Sequence, residues 1–264
     1  MPARVRLDTL LADRGLFASR TRAAASVMAG DVRVGSERRR AAKPGEMVAA
    51  DVDVELASKP RFVSRGGEKL ANALRATAIE ARGRQTLDLG ASTGGFSDCL
   101  LQAGAAHVVC VDVGYGLLHQ RVRDDPRVSV LDRRNARELS VTELPYRPGL
   151  IVADLSFISL RKVLPAALAC AAPCFDALVL VKPQFEVGRE RVGRGGVVRD
   201  PALRREALIA IADCARALGA AVMGFASSGL PGPKGNLESF AWLAEAGRAG
   251  ALADVAAAAR EIEP

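Results

Sequence analysis

The chain has 264 residues, 49% of them hydrophobic, and a formal net charge of +7. That length suits one sizeable core plus an appendage, and the longest apolar stretch, residues 163–175, is interrupted by Pro165 and Pro173 and is too short to span a bilayer. Five cysteines without a C-x-x-C pair and two histidines argue against a disulfide framework or a metal site, and no charged-then-apolar leader opens the sequence, so a cytoplasmic protein is expected.

Residues 1–43 carry ten Lys/Arg against four Asp/Glu, so the basic excess is localised at the N-terminus, as in a phosphate-binding module. Leu7, Leu10, Leu11 and Leu16 mark a short helix with Gly15 as its C-cap. Ser19 caps a second helix over residues 20–28, which Gly30 closes. Val32 and Val34 alternate as a strand, Gly35-Ser36 turns, a basic run follows at Arg38, Arg39, Arg40 and Lys43, and residues 48–56 alternate again. Arg6, Arg14, Arg20, Arg22 and Arg33 are expected to share one face of this small α+β unit. Aromatic residues are not interleaved with them, so contacts to phosphates and to the shape of folded RNA are expected rather than base stacking. The pattern breaks over residues 56–62 (LASKPRF). Boundaries are placed at 1–57 for the basic unit, 58–63 for a linker and 64–264 for a second domain.

In the second domain an apolar strand runs into the turn Leu89-Gly90-Ala91-Ser92-Thr93-Gly94-Gly95, and residues 96–101 read as an amphipathic helix. Residues 107–112 form a second strand ending in Asp112, 22 residues past Gly90, where a carboxylate suits ribose hydroxyls. Further strands are expected at 128–131, 150–154, 177–181 and 221–225, and helices at 116–122, 160–172 and 201–218. A last, antiparallel strand is expected at 237–243. Strands alternating with helices predict a parallel sheet covered on both faces, with ligands beyond the strand carboxyl ends.

The turn reads G-x-S-x-G-G rather than the G-x-G-x-x-G of a dinucleotide site, and Asp88 precedes it inside the strand. A carboxylate so close repels a pyrophosphate but suits a zwitterionic sulfonium, so the expected cofactor is S-adenosylmethionine. Gly90, Ser92, Thr93, Gly94 and Gly95 are expected to contact it with Asp88, while Asp112 takes the ribose and Asp132 or Asn135 reaches the adenine edge. Asp154 and Lys182 each end a strongly apolar strand, where a charge needs a partner or a task. Lys69 opens the first helix of the domain, and Glu238 follows the turn Pro231-Gly232-Pro233-Lys234-Gly235-Asn236. The segment 185–199, with four glycines and four arginines, is either an RNA-contacting lid or a long surface loop.

Two resemblances extend this reading. The order R-L-D-x-L-L-x-x-R-G-L-x-x-S-R-x-x-A followed by G-x-V-x-V, over about residues 4–55, resembles the S4 RNA-binding domain. The segments VSRGGEKL, LDLGASTGGF, HVVCVDVGYG, DPRV, VADLSFISL, LVKPQFEVG, GGVVRD and LPGPKGN resemble the TlyA (hemolysin A) family of rRNA 2′-O-methyltransferases, relatives of the FtsJ/RrmJ-type enzymes. The resemblance implies a Rossmann-like class I S-adenosylmethionine-dependent methyltransferase domain behind a small α+β S4 domain. It also implies a Lys-Asp-Lys-Glu tetrad at Lys69, Asp154, Lys182 and Glu238, and cytidine 2′-hydroxyls of 16S and 23S rRNA in ribosomal subunits as targets. The chemistry agrees. A 2′-hydroxyl must lose its proton as it attacks a sulfonium methyl, and a lysine serves as base when a second ammonium lowers its pKa. Lys182 is the expected base or alkoxide stabiliser, Lys69 the second positive charge, and Asp154 and Glu238 the groups that orient them. No metal is expected, and nothing in the sequence sets the oligomeric state. Two alternatives stand beside this reading. Base-directed methylation would use a D/N-P-P-Y/F turn, where the chain has Asp154-Leu155-Ser156-Phe157. The family's other name suggests membrane lysis.

Overall fold

The computed structural model describes residues 4–29, 31–56 and 61–263. Gly30 and the first half of the expected linker, residues 58–60, lie outside these. The chain divides into two compact units, residues 1–61 and 62–264.

The first unit contains β1 (Arg4–Arg6), α1 (Leu7–Asp13), α2 (Arg20–Ala29), β2 (Val32–Val34), β3 (Arg39–Arg40), β4 (Met47–Ala49) and β5 (Val54–Leu56). β1 pairs antiparallel with β4, and β2 lies between β3 and β5 in a second antiparallel sheet. Leu7, Leu10, Leu11, Val27, Val32 and Val48 form its core. Three details differ from the sequence pattern. The alternation over 48–56 is two strands in two sheets, because a turn at Ala50 and Asp51 interrupts it. Leu16 is 39% exposed and lies past the end of α1, since the chain has already left the helix through Gly15 at φ +71°. The three-residue β1 is too short for a period to show.

The second unit begins with α3 (Arg65–Thr77) and continues β6 (Gln85–Leu89), α4 (Gly95–Gln102), β7 (His107–Val111), α5 (Gln120–Arg123), β8 (Val128–Leu131), β9 (Leu150–Ala153) and α6 (Leu164–Cys170). It closes with β10 (Asp176–Val181), α7 (Pro183–Glu186), α8 (Pro201–Ala217), β11 (Ala221–Ser227), β12 (Ser239–Ala244) and α9 (Val255–Ile262). Seven strands form one sheet in the order β11-β12-β10-β9-β6-β7-β8. From β10 to β8 every pairing is parallel, and β12 alone runs against both of its neighbours.

Strands buried on both faces need apolar side chains at every position, which is why β9 and β10 read as unbroken runs. Leu87, Leu89, Val109, Val111 and Ile151 pack one face against α6, α8 and α9. Val108, Cys110, Leu150, Val152 and Leu180 pack the other against α3 and α4. The expected helix at 160–172 is a 3₁₀ turn at Leu160–Lys162 followed by α6, with Pro165 at the helix start where its missing N–H is harmless. The expected helix at 116–122 is only the single turn of α5.

At the sheet edge remote from the strand carboxyl ends, Arg248 donates to Glu245 at 2.7 and 2.8 Å and holds that carboxyl down at about 2. A depressed carboxyl adds stability above its unfolded pKa that is lost as pH falls toward the folded value. Glu245→Gln is therefore expected to cost about 1–2 kcal/mol at pH 7, after discounting for partial exposure, with a deficit that shrinks below pH 4 in urea unfolding.

Candidate active site

Strand order reverses direction between β6 and β9, the place where open α/β sheets bind ligands. The glycine turn leaves β6 there. Gly90 adopts φ +80°, and a Cβ on it would lie 2.6 Å from the Asp154 carbonyl oxygen. Gly94 starts α4 at φ +90°, with Leu118 2.8 Å from where a Cβ would be. Only glycine satisfies both demands. At the end of β7, Asp112 accepts from Ser92 N at 2.8 Å and Gly114 N at 2.7 Å, so its carboxylate fixes the turn that it borders. Thr93 is tied in through its carbonyl, which accepts from His119 N at 3.1 Å. Asp132 accepts from Gly116 N at 3.2 Å and lies 3.3 Å from Arg123, and Asn135 caps the 3₁₀ turn Ala136–Glu138.

Asp88 is fully buried on β6. Ser97 Oγ donates to its Oδ2 at 2.6 Å, and its Oδ1 has no partner. Burial, reinforced by the nearby Asp154 and Asp112 charges, pushes this carboxyl up to about 7. A buried acid with a spare oxygen, beside a turn with room only for backbone, fits a cofactor carrying ammonium and sulfonium charges.

The tetrad assembles from four elements as two ion pairs. Lys69, on the first turns of α3, is 6% exposed and pairs with Glu238, which is 3% exposed. Lys182 Nζ lies 2.6 Å from Asp154 Oδ1, off the hydrogen-bonding direction, and donates to Ser156 Oγ at 3.0 Å. Register explains the convergence. In the antiparallel ladder Val181 faces Ser239, so the next pair outward is Lys182 and Glu238. In the parallel ladder Leu89 faces Ala153, so Gly90 and Asp154 leave the sheet side by side.

The pair Lys182 and Glu238 borders a cleft of about 1010 Å³. Arg137, Lys162, Lys182, Arg189 and Lys234 line it against the single carboxylate of Glu238, a balance suited to a polyanion. The 185–199 segment forms one wall. Asn236 holds it by accepting from Val198 N at 2.9 Å and donating to Gly196 O at 2.8 Å, and Arg191 pairs with Glu206 on α8. Phe157, which sequence patterning did not single out, projects into the cleft. It is 92% exposed, has φ +65°, and its ring lies 5.4 Å from that of Phe185. The left-handed region is costly for a bulky residue, so this backbone conformation must be held by its surroundings.

The five arginines of the first unit divide by their partners. Arg6 grips Asp8 with two bonds of 3.1 and 2.7 Å, and Arg20 reaches the same carboxylate at 3.2 Å. Arg14 donates to the carbonyls of Val52 and Ala50 at 2.8 and 2.7 Å, which makes it a structural clamp. Arg22 and Arg33 are exposed, Arg33 on the outer face of β2. Among the described residues no helix is long and apolar enough to cross a membrane, and no His/Cys/Asp/Glu group is arranged to hold a metal.

A parallel sheet with one reversed strand next to its edge, and a glycine turn at the switch point, defines the class I S-adenosylmethionine-dependent methyltransferase fold. A methyltransferase structure from Mesorhizobium loti shares that fold at TM-score 0.50 and 14% identity, over 69% of this chain and 100% of that one. Residues 62–245 match the FtsJ-like methyltransferase family, and the chain belongs to its TlyA branch. It is 51% identical over 245 residues, 92% of this chain and 91% of the relative, to the 16S/23S rRNA (cytidine-2′-O)-methyltransferase TlyA of Mycobacterium tuberculosis. It is 34% identical to Hemolysin A of Brachyspira hyodysenteriae, over 90% and 98% of the two chains. A solved structure from Streptococcus thermophilus that carries the hemolysin name superposes at TM-score 0.73 and 35% identity, over 99% and 96%.

Asp88 gives the site a pH signature. With a folded value of about 7 against 3.8 for an ordinary aspartate, the unfolded chain loses this proton first, so stability falls as pH rises across that window. Asp88→Asn is expected to flatten the fall, gaining more than about 1 kcal/mol over the unaltered protein between pH 4 and pH 7 in urea unfolding. An unchanged pH slope would remove the assigned burial effect.

Proposed function

We propose that this protein methylates the 2′-hydroxyl of cytidine ribose in 16S and 23S rRNA, within ribosomal subunits in the cytoplasm, with S-adenosylmethionine as donor. The observation that carries this reading is the gathering of two ion pairs, Lys69 with Glu238 and Lys182 with Asp154, at the ends of β9, β10 and β12 beside the glycine turn. Bound at the turn, the cofactor supplies an electrophilic methyl group on sulfur. Gly90, Ser92, Thr93, Gly94 and Gly95 would present backbone to it, Asp112 would take the ribose, Asp88 would face its positive end, and Asp132 or Asn135 would reach the adenine edge.

The tetrad then does three things. Lys182, on the cleft wall, serves as base or alkoxide stabiliser for the 2′-hydroxyl as the oxygen attacks the methyl. Asp154 and Ser156 fix the Lys182 Nζ against rotation, which keeps the acceptor within reach of one oxygen. Lys69, paired with Glu238, keeps an ammonium near where the oxygen becomes anionic without leaving an unpaired charge in the interior. Phe157 offers an apolar face on which a splayed-out base can stack, which carries the sugar toward Lys182. The first unit acts as an S4-like RNA-binding module, with exposed Arg22 and Arg33 offered to phosphates, Arg33 also donating to the Arg38 carbonyl at 3.3 Å, and with Arg6 and Arg20 presented around Asp8.

Incubation with labelled S-adenosylmethionine and purified ribosomal subunits, followed by nucleotide mapping, tests the reaction. A 2′-O-methyl blocks hydrolysis at its linkage, whereas methylation on a base leaves the backbone cleavable and would redirect the proposal. Lys182→Ala is expected to lower turnover by about 10²–10⁴ while cofactor affinity stays within about threefold, measured by calorimetry. For the first unit, Arg22→Ala and Arg33→Ala are each expected to reduce the salt slope of RNA binding by about one. Arg14→Ala should instead lower the melting temperature, because it unties the 50–52 turn.

A further inference from the structure

The tetrad accounts for Lys182 but not for what fixes the segment after β9 above it. Five residues past Asp154, that segment meets a buried carboxylate with no role in the transfer. Glu186 is 7% exposed. Its Oε2 accepts from Ser159 Oγ at 2.6 Å and its Oε1 accepts from Leu160 N at 2.8 Å. Arg161 closes over it, with Nη2 donating to the Glu186 carbonyl at 3.2 Å and Nε 3.7 Å from the carboxylate. Glu186 ends α7, a single turn that Pro183 begins immediately after Lys182, so both residues ride on one short rigid element.

The consequence is a double anchor. Ser156 is held by Lys182 Nζ on one side, and Ser159 with Leu160 is held by Glu186 on the other. Between them stands Phe157, at φ +65° and 92% exposed, with one ring contact to Phe185 of the same α7. Burial does not hold that ring, so its unfavourable backbone conformation persists only because its neighbours over-determine it. With Glu186 removed, one end of the segment is released and the left-handed residue can relax to negative φ, carrying the aromatic face away from the cleft. We propose that Glu186 is a positioning residue for methyl transfer, acting through the 156–160 segment to hold Phe157 in the cleft that Lys182 also lines rather than through contact with cofactor or substrate. This rests on the rRNA 2′-O-methylation proposed above.

The carboxylate stands alone on its element, and the groups facing it are Ser159, the Leu160 amide and Arg161, with the Cys214 thiol of α8 also within range of its charge. Burial raises its pKa while those donors lower it, so the uncharged amide of Glu186→Gln preserves size and an acceptor for Leu160 N. Glu186→Ala preserves neither. Ser159→Ala removes one bond from the opposite side and serves where Glu186→Ala folds poorly.

The measurements are steady-state methylation of ribosomal subunits, cofactor binding by calorimetry, and amide hydrogen exchange over residues 155–162. Glu186→Ala is expected to lower kcat by at least about tenfold with the cofactor dissociation constant within about twofold, and Glu186→Gln to recover most of the loss. Exchange over 155–162 should accelerate in Glu186→Ala while β9 stays protected. Since Glu186 acts through Phe157, the double variant with Phe157→Ala should be no slower than Phe157→Ala alone. Unchanged exchange, normal turnover despite faster exchange, or multiplying losses in the double variant would each overturn the proposal. Absence of methylation by the unaltered protein would defeat the function instead, and the exchange measurement, which needs no turnover, still decides whether the anchor exists.

Discussion

The reversal of β12 is the constraint on which the site depends. A strand that begins at the carboxyl-terminal edge of a parallel sheet must run antiparallel to its neighbours, and β12 does so against β10 and β11. Glu238, the residue just before it, therefore emerges beside Lys182. Were β12 parallel, its six residues would carry Glu238 to the opposite edge, roughly 20 Å away at about 3.3 Å per residue. Lys69 would then be a buried ammonium without a counter-ion, a state that costs several kcal/mol. The sheet topology and the charge pattern thus support each other.

Stability alone does not explain the buried charges. Lys69 and Glu238 are almost wholly removed from water, and well-packed apolar residues of the same volume would serve the fold as well or better. Asp88 is a plainer case, since its buried carboxyl lowers the stability of the folded chain as pH approaches neutrality. Such groups persist where something other than folding uses them. Here they cluster at one end of the sheet, around the switch point between β6 and β9. At the other end, Asp176 is satisfied by Arg84, Arg248 and Trp242 and needs no further partner.

Much of this was legible in the sequence because the sheet is buried on both sides. Continuous apolar runs ending in a charge gave the ends of β9 and β10, and with them Asp154 and Lys182. The glycine turn was legible because backbone with positive φ and no room for a Cβ leaves a direct trace in composition. What pairing alone reveals was not legible: residues 182 and 238 are far apart in the chain, and their proximity there rested on a family resemblance. Phe157 was missed because an exposed aromatic leaves no periodic signature, and its φ is set by anchors at Ser156 and Ser159 rather than by its own type. Helix α9 was missed because Val255-Ala-Ala-Ala-Ala has few large apolar residues to mark a face, although Val255 and Ala259 do pack on the sheet.

The N-terminal arginines show why a charge count differs from a binding surface. Residues 1–43 sum to +6 by type, yet Asp8 is buried beneath Arg6 and Arg20, and Arg6 beside it holds its carboxyl down at about 2. That carboxylate stays charged across the physiological range and draws two guanidinium groups into fixed places. Two partly neutralised but ordered arginines present defined donor directions, whereas two free ones present only charge. Phosphate affinity follows the number of cations that displace counterions, while discrimination among folded RNAs follows their placement. In the proposed RNA-binding role Asp8 gives up part of the first to secure the second, and Arg14, which donates to backbone carbonyls, fixes the turn between β4 and β5 rather than adding to either.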